Sequence, residues 1–355
     1  MSEKCGVAIV GYGGMAHCWH IVRLQEMTDS VQIMGAYDIS EERRRVFKKE
    51  TGIDAYSSMA ELENDPNVEL VIVATPNDTH RDICIELMQH GKNVICEKPV
   101  TLSSADLDAM ISASERSGVI FTVHQNRRWD EDYLTAKKVF DQNLLGPVFR
   151  VESRVTGSRG IPDDWRSQKP HGGGMVFDWG IHLFDQIFCL TDWRDDIVSV
   201  YSELTHVTNG DVDDGFYAWV RFRSGLTAHI EVGTSNFIDL PRWYMLGQNG
   251  SMAIDDWNLH GKIVKVTDWE NRDAVPVVTA AGVTKTMAPR TDETIAEEPL
   301  PQVQSDIRGF YKNVLAACRG QEELIVKPEH VRRTMKLMEA VFESAQDNKV
   351  IHDVI

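Results

Sequence analysis

A chain of 355 residues is too long for one ordinary core, so two domains are expected. Apolar content of 42% and charged content of 26% suit a globular protein in water, while a net charge of −17 argues against nucleic acid and against an anionic membrane surface as partners. The six cysteines (Cys5, Cys18, Cys84, Cys96, Cys189, Cys318) include no C-x-x-C pair and read as reduced thiols. The apolar run Cys5–Val10 is too short for a signal peptide and ends in glycines, and no stretch approaches a membrane span. A cytoplasmic protein is expected.

Val7–Val10 reads as a buried strand and runs directly into Gly11-Tyr12-Gly13-Gly14-Met15-Ala16. This is G-x-G-x-x-A: a tight turn, a glycine that lets a diphosphate approach the backbone, and a small residue that lets the next helix pack closely. That helix begins near Met15, so its first amides and its dipole face the same place. A second strand, Val31–Tyr37, ends in Asp38, 22 positions beyond Ala16, where a carboxylate holds the ribose diol of a dinucleotide. A carboxylate there repels a ribose phosphate and favours NAD over NADP. Arg43, Arg44 and Arg45 either hold such a phosphate or form a solvated helix turn paired to Glu41 and Glu42.

The alternation of strand and helix continues. Glu69–Thr75 is a strand, and Pro76-Asn77-Asp78-Thr79-His80 turns it into a helix over 79–90, with Asn77 or Asp78 as cap. Lys92–Cys96 is the next strand and ends in Glu97-Lys98-Pro99. Two charges closing a buried strand need partners, unless they emerge at the carboxyl edge of a parallel sheet, where ligands of doubly wound folds sit. Lys98 is then either one half of an ion pair or a positioned cation. A helix over 101–117, capped by Thr101 or Ser103, and a strand over Gly118–His124 complete a parallel sheet covered on both faces.

Taken together, Gly11-Tyr12-Gly13-Gly14-Met15-Ala16, Thr75-Pro76-Asn77-Asp78-Thr79-His80 and Glu97-Lys98-Pro99 resemble the Gfo/Idh/MocA family of sugar and inositol oxidoreductases, over essentially the whole chain. The resemblance implies a Rossmann NAD-binding domain over 1–124. It also implies an α/β domain over 125–355, with a large, mostly antiparallel open sheet for substrate binding and oligomerisation. It further implies that residues 11–16, Asp38, Thr75, Pro76, Asn77, His80, Glu97 and Lys98 bind the cofactor. In such enzymes the lysine reaches both the nicotinamide and the reacting hydroxyl, and its Lys-Pro peptide is often cis.

His124-Gln125-Asn126-Arg127-Arg128-Trp129-Asp130 leaves the last Rossmann strand toward the same crevice. Arginines beside a tryptophan are either surface groups stacked on the ring or polyol ligands. With Trp165-Arg166, this stretch is similar to the scyllo-inositol dehydrogenase branch, so Asn126, Arg127, Arg128, Trp165 and Arg166 are candidate substrate ligands. That branch is often NADP-linked, and Asp38 departs from it.

Gly172-Gly173-Gly174 lets the chain turn sharply into a helix over about 174–190. Asp178 and His182, four apart, stack on one helical face beside an apolar stripe of Phe177, Ile181, Phe184 and Phe188. A hydrogen-bonded structural pair, a metal site lacking a third ligand, and a catalytic pair all fit these residues. The family's G-G-G-x-x-x-D-x-G-x-H pattern, matched in full, implies the catalytic pair; Asp185 and Gln186 project from the same helix as candidate supporting groups, and with no third ligand at metal spacing no metal is expected.

Strands follow over 148–156, 197–207, 214–222, 226–234, 243–247 and 251–255, then a polar loop over 284–304 and helices over 305–319 and 328–347. The chemistry these residues suit is hydride transfer between NAD and a secondary hydroxyl or ketone of a cyclic polyol: a sugar, glycoside or inositol. His182 is the base, Asp178 orients it, and Lys98 stabilises the oxygen. The alternatives are an NAD-dependent glycosidase acting by transient ring oxidation and elimination, and a sugar-sensing regulator without catalysis. A homo-oligomer, dimer or tetramer, is expected through the C-terminal sheet.

Overall fold

The computed structural model describes residues 4–355. Strands β1 (Cys5–Val10), β2 (Val31–Tyr37), β3 (Leu70–Val73), β4 (Asn93–Cys96) and β5 (Phe121–Val123) form one sheet in the order β2-β1-β3-β4-β5. Every pairing in it is parallel. β1 and β3 are buried along their whole length, as an apolar strand covered on both faces requires. The chain leaves β1 toward β2 on one side and returns to β3 on the other, so the carboxyl ends of β1 and β3 flank the point where ligands bind in such sheets. Gly11 (φ +87°) sits at that point. A Cβ there would lie 2.6 Å from the Ala74 carbonyl oxygen, so both the conformation and the close approach demand glycine.

The second sheet contains β6 (Val148–Thr156), β7 (Ile197–Thr205), β8 (Gly215–Phe222), β9 (Thr227–Gly233), β10 (Trp243–Gly247), β11 (Gly250–Ile254) and β12 (Gly261–Val266). A small hairpin, β13 (Val277–Thr279) and β14 (Gly282–Thr284), stands apart, and β15 (Ile295–Glu298) and β16 (Ile351–His352) lie at the edges of the large sheet. The order is β15-β12-β11-β10-β6-β9-β8-β7-β16, with only β6 and β9 parallel among the described residues. The region 284–304, expected as a loop, therefore contains a strand. β15 pairs with β12 as an edge strand. An edge strand buries little, so its sequence carries weak apolar alternation.

One face of this sheet is covered by the helices Ile181–Leu190 and Pro328–Asp347, the latter tied to β7 by a hydrogen bond from Ser202 Oγ to the Val341 carbonyl at 2.5 Å. The helix Pro328–Asp347 also reaches back to the first sheet's helices, where Glu339 accepts the Ser104 amide at 2.7 Å. On the opposite face Tyr217 and Trp219 are exposed. The helix His80–Gln89 follows a 3₁₀ turn at Asn77–Thr79 and has no side-chain cap, so neither Asn77 nor Asp78 caps it; Ser103 caps the next one by accepting the Asp106 amide. Among the described residues no helix is long and apolar enough to cross a membrane.

Candidate active site

A cleft of about 710 Å³ lies at the carboxyl ends of β1 and β3. Gly13 and Gly14 line it, and a Cβ on either would meet open space, so the backbone of this turn is bare toward the cleft. Met15, Thr75, Pro76, Asn77, Glu97 and Lys98 line it too. Asp38 stands at the far end, one carboxylate oxygen accepting the Tyr12 amide at 2.7 Å and the other the Ser40 amide at 2.8 Å. A bare glycine turn ahead of a helix and a fixed carboxylate at the end of β2 fit a dinucleotide diphosphate and its ribose diol. Of the three arginines, only Arg43 lines the cleft. Arg44 donates to the Asp38 carbonyl, and Arg45 pairs with Glu41 at 2.5 Å.

Three expected cofactor residues stand elsewhere. The Tyr12 ring is fully buried against Phe47, with its hydroxyl on Glu50 at 2.8 Å. Ala16 is buried under the helix start. His80 is buried with Nε2 2.9 Å from the Thr75 carbonyl and Nδ1 3.1 Å from that of Pro99, so it ties the end of β3 to the turn after β4. Their common reason is that a tight turn needs inner supports as well as an exposed rim.

The strand end at Glu97-Lys98 is anchored from below. Glu97 Oε1 lies 2.7 Å from His20 Nε2 and 2.7 Å from His124 Nδ1, and its Oε2 accepts the Lys98 amide at 3.0 Å. Tyr311, from a C-terminal helix, hydrogen-bonds His20 Nδ1 at 2.8 Å. Burial pushes the Glu97 carboxyl up, but the imidazoles of His124 and His20 outweigh it and hold it well below the usual carboxylate range. Among the described residues, His20, Glu97 and His124 are the group close enough to share a cation, and here they bond to one another. The Lys98–Pro99 peptide is cis.

Lys98 Nζ leaves this anchor and donates to Asp178 Oδ1 at 3.0 Å and to the Asp178 carbonyl at 2.9 Å. Asp178 Oδ2 accepts Arg166 Nε at 2.8 Å. Burial pushes the Asp178 carboxyl up, yet the Lys98 ammonium and the Arg166 guanidinium hold it below its ordinary value. The expected Asp178–His182 hydrogen bond is absent, because two cations from other elements occupy both carboxylate oxygens. The helix begins with a π-helical turn at Val176–Gly180. It is set by Asp213, a residue the sequence did not single out: its carboxylate accepts the Val176 amide at 2.8 Å, and a Cβ on Gly174 would lie 2.1 Å from it. Burial pushes the Asp213 carboxyl up to about 6.

His182 is 3% exposed, and its Nδ1 is buried with no hydrogen-bond partner among the described residues. Burial first, then the nearby Lys98 and Arg127 charges, hold its imidazole well below the ordinary histidine range, so it is neutral at neutral pH. The expected polyol ligands separate. Arg127 lies 4.1 Å over the Trp179 ring and lines a second cleft with Asp178. Asn126 faces a shallow cleft beside Trp257, while Trp165 and Arg166 cover the dinucleotide cleft and Asp178 respectively. Arg128 is the correction. It is buried, with two 2.7 Å bonds to Asp185 and one of 2.8 Å to the Ile325 carbonyl, because a guanidinium in that interior needs a bidentate acceptor. Trp179 and Trp257 were not singled out from the sequence, although Trp179 stands beside Asp178.

Two family models match the chain: an oxidoreductase family with an NAD-binding Rossmann fold over residues 5–125, and the Gfo/Idh/MocA C-terminal domain over 133–253. An NAD-binding protein from Listeria innocua has the same structure, with a TM-score of 0.94 and 43% identity over 99% of this chain and 100% of that one. The scyllo-inositol 2-dehydrogenase (NADP+) of Bacillus subtilis is 26% identical across 97% of this chain and 95% of its own length. The myo-inositol 2-dehydrogenase of Thermotoga maritima is 30% identical across 64% and 67%. With its bare glycine turn, its Glu97-Lys98-cis-Pro99 corner and both family models matched, the chain belongs to the Gfo/Idh/MocA family of NAD-binding oxidoreductases.

Proposed function

We propose that the protein moves a hydride between NAD and a secondary hydroxyl or ketone of a cyclic polyol. The observation that carries this is the Lys98 ammonium, fixed between the dinucleotide cleft and the cleft beyond Asp178. NAD, bound in the first cleft, supplies the hydride acceptor. Lys98 donates a hydrogen bond to the reacting oxygen and offsets the negative charge that grows there. His182, neutral and with Nδ1 unpaired among the described residues, takes the hydroxyl proton during oxidation and returns it during reduction. Asp178 and Arg166 hold Lys98 in place, and Arg127 and Trp179 offer a cation and an aromatic face to a polyol ring.

The elimination route of an NAD-dependent glycosidase is not favoured, since two relatives carry dehydrogenase names. We place the domain boundary at 124/125 and a self-association surface on the open face of the large sheet around Trp219. Incubating the protein with NAD and a panel of inositols, aldoses and glycosides, and following NADH absorbance, tests the activity. Net NADH from at least one free polyol supports the reading; product from a glycoside without net NADH would sink it.

A further inference from the structure

The second cleft, about 430 Å³, opens beyond Asp178, away from the glycine turn. Its floor is aromatic: the Trp179 and Trp257 rings stand 6.0 Å apart, with the Arg127 guanidinium over both. Its outer wall is the turn that follows β6. That turn is not loose. Gly157 donates to the Gly233 carbonyl at 2.8 Å, Asn236 to the Gly157 carbonyl at 2.8 Å and Gly160 to the Thr234 carbonyl at 2.9 Å, so three backbone bonds pin it to the end of β9. Arg159 sits between those bonds and lines the cleft.

The charges around this space do not balance. Arg127 pairs with Asp130 at 2.8 Å, Arg166 with Asp164 at 2.9 Å and with Asp178 at 2.8 Å, and Lys98 with Asp178 at 3.0 Å. Among the described residues Arg159, which is exposed, makes no ion pair. Two cations, Arg127 and Arg159, thus line the cleft with one carboxylate, Asp178, which Lys98 and Arg166 already hold, in a chain whose net charge is −17. A surplus cation on a braced turn, above an aromatic floor, is suited to an anionic substituent on a ring whose carbons lie on Trp179 and Trp257.

We propose that this cleft binds the end of the substrate remote from the reacting carbon, and that this end carries an anionic group, carboxylate or phosphate monoester, held by Arg159. The substrate is then an anionic polyol, which rests on the reading of Lys98 and His182 given above.

The test compares kcat/KM for NADH formation at saturating NAD with matched probes: glucose, glucuronate and glucose 6-phosphate; galactose and galacturonate; myo-inositol and its monophosphate. The wild-type protein and Arg159→Gln are run side by side. At least one anionic probe should be used tenfold or more better than its neutral partner. Arg159→Gln should raise KM for that probe tenfold or more, leave kcat within twofold, and leave the neutral partner unchanged. The carboxylate and phosphate arms identify the group. Neutral probes turned over as efficiently as anionic ones, or a loss in Arg159→Gln equal for both, overturns this proposal and leaves the dehydrogenase reading standing. Absence of NADH from every polyol overturns both.

Discussion

Lys98 and Asp178, 80 positions apart, meet through two contacts: the ammonium donates to the carboxylate at 3.0 Å and to the same residue's backbone carbonyl at 2.9 Å. The second contact ties the lysine to the helix itself, so Lys98 is positioned by the helix backbone as well as by a charge.

Lys98→Met should therefore cut turnover to less than about a hundredth, the scale on which a lost oxyanion donor is felt. NAD affinity should change little, because the glycine turn and Asp38 are untouched. Calorimetric NAD titration beside steady-state kinetics checks this; more than a tenth of wild-type activity would remove Lys98 from the chemistry.

His182 gives the pH profile its sign. Burial and two neighbouring cations favour the neutral imidazole, so the folded pKa lies below the ordinary value. The rate of alcohol oxidation should rise with pH through an ionisation well on the acid side of 6.5 and stay high through neutrality. Lys98→Met removes one of those cations and should move the His182 titration upward, which NMR of labelled histidines follows without turnover. An acidic limb that survives His182→Ala unchanged would place the base elsewhere.

Asp38 should favour NAD over NADP by at least about tenfold, or ~1.4 kcal/mol, because its fixed carboxylate cannot swing away from a ribose phosphate. Asp38→Ser should narrow that ratio, leaving Arg43 to attract the phosphate. Kinetics with both cofactors decide it. Wild-type efficiency with NADP equal to that with NAD would show that Arg43 outweighs Asp38.

Arg128 and Asp185 make a buried pair, side chains 6% and 2% exposed. Breaking one half leaves an uncompensated charge inside, so Arg128→Met should cost about 3–5 kcal/mol in urea unfolding. Removing both, as in Arg128→Met with Asp185→Leu, should recover much of that loss. A single variant as stable as wild type would return Arg128 to the list of substrate ligands.

Local pattern determined a good deal of this protein. Short, largely apolar runs bounded by turn residues read as buried strands, and five of them alternating with helices point to a parallel sheet. Gly11 is legible as the first glycine of a G-x-G-x-x-A turn directly after a strand, and the end of β4 is legible because two charges cannot close a buried strand without a cleft or a partner. Such signals lie within a few residues of one another. The tertiary structure decided which groups share a charge: spacing suggested that Asp178 faces His182, but Lys98 and Arg166 reach its oxygens first. It also put Arg128 inside, buried His80 behind the cleft, joined His20 and His124 through Glu97, and brought Trp257 over Arg127. Each of these joins residues far apart in the chain. A buried ion pair or a stacked ring is selected by which partners the packed sheets and helices bring within about 3–5 Å, and no local periodicity encodes that.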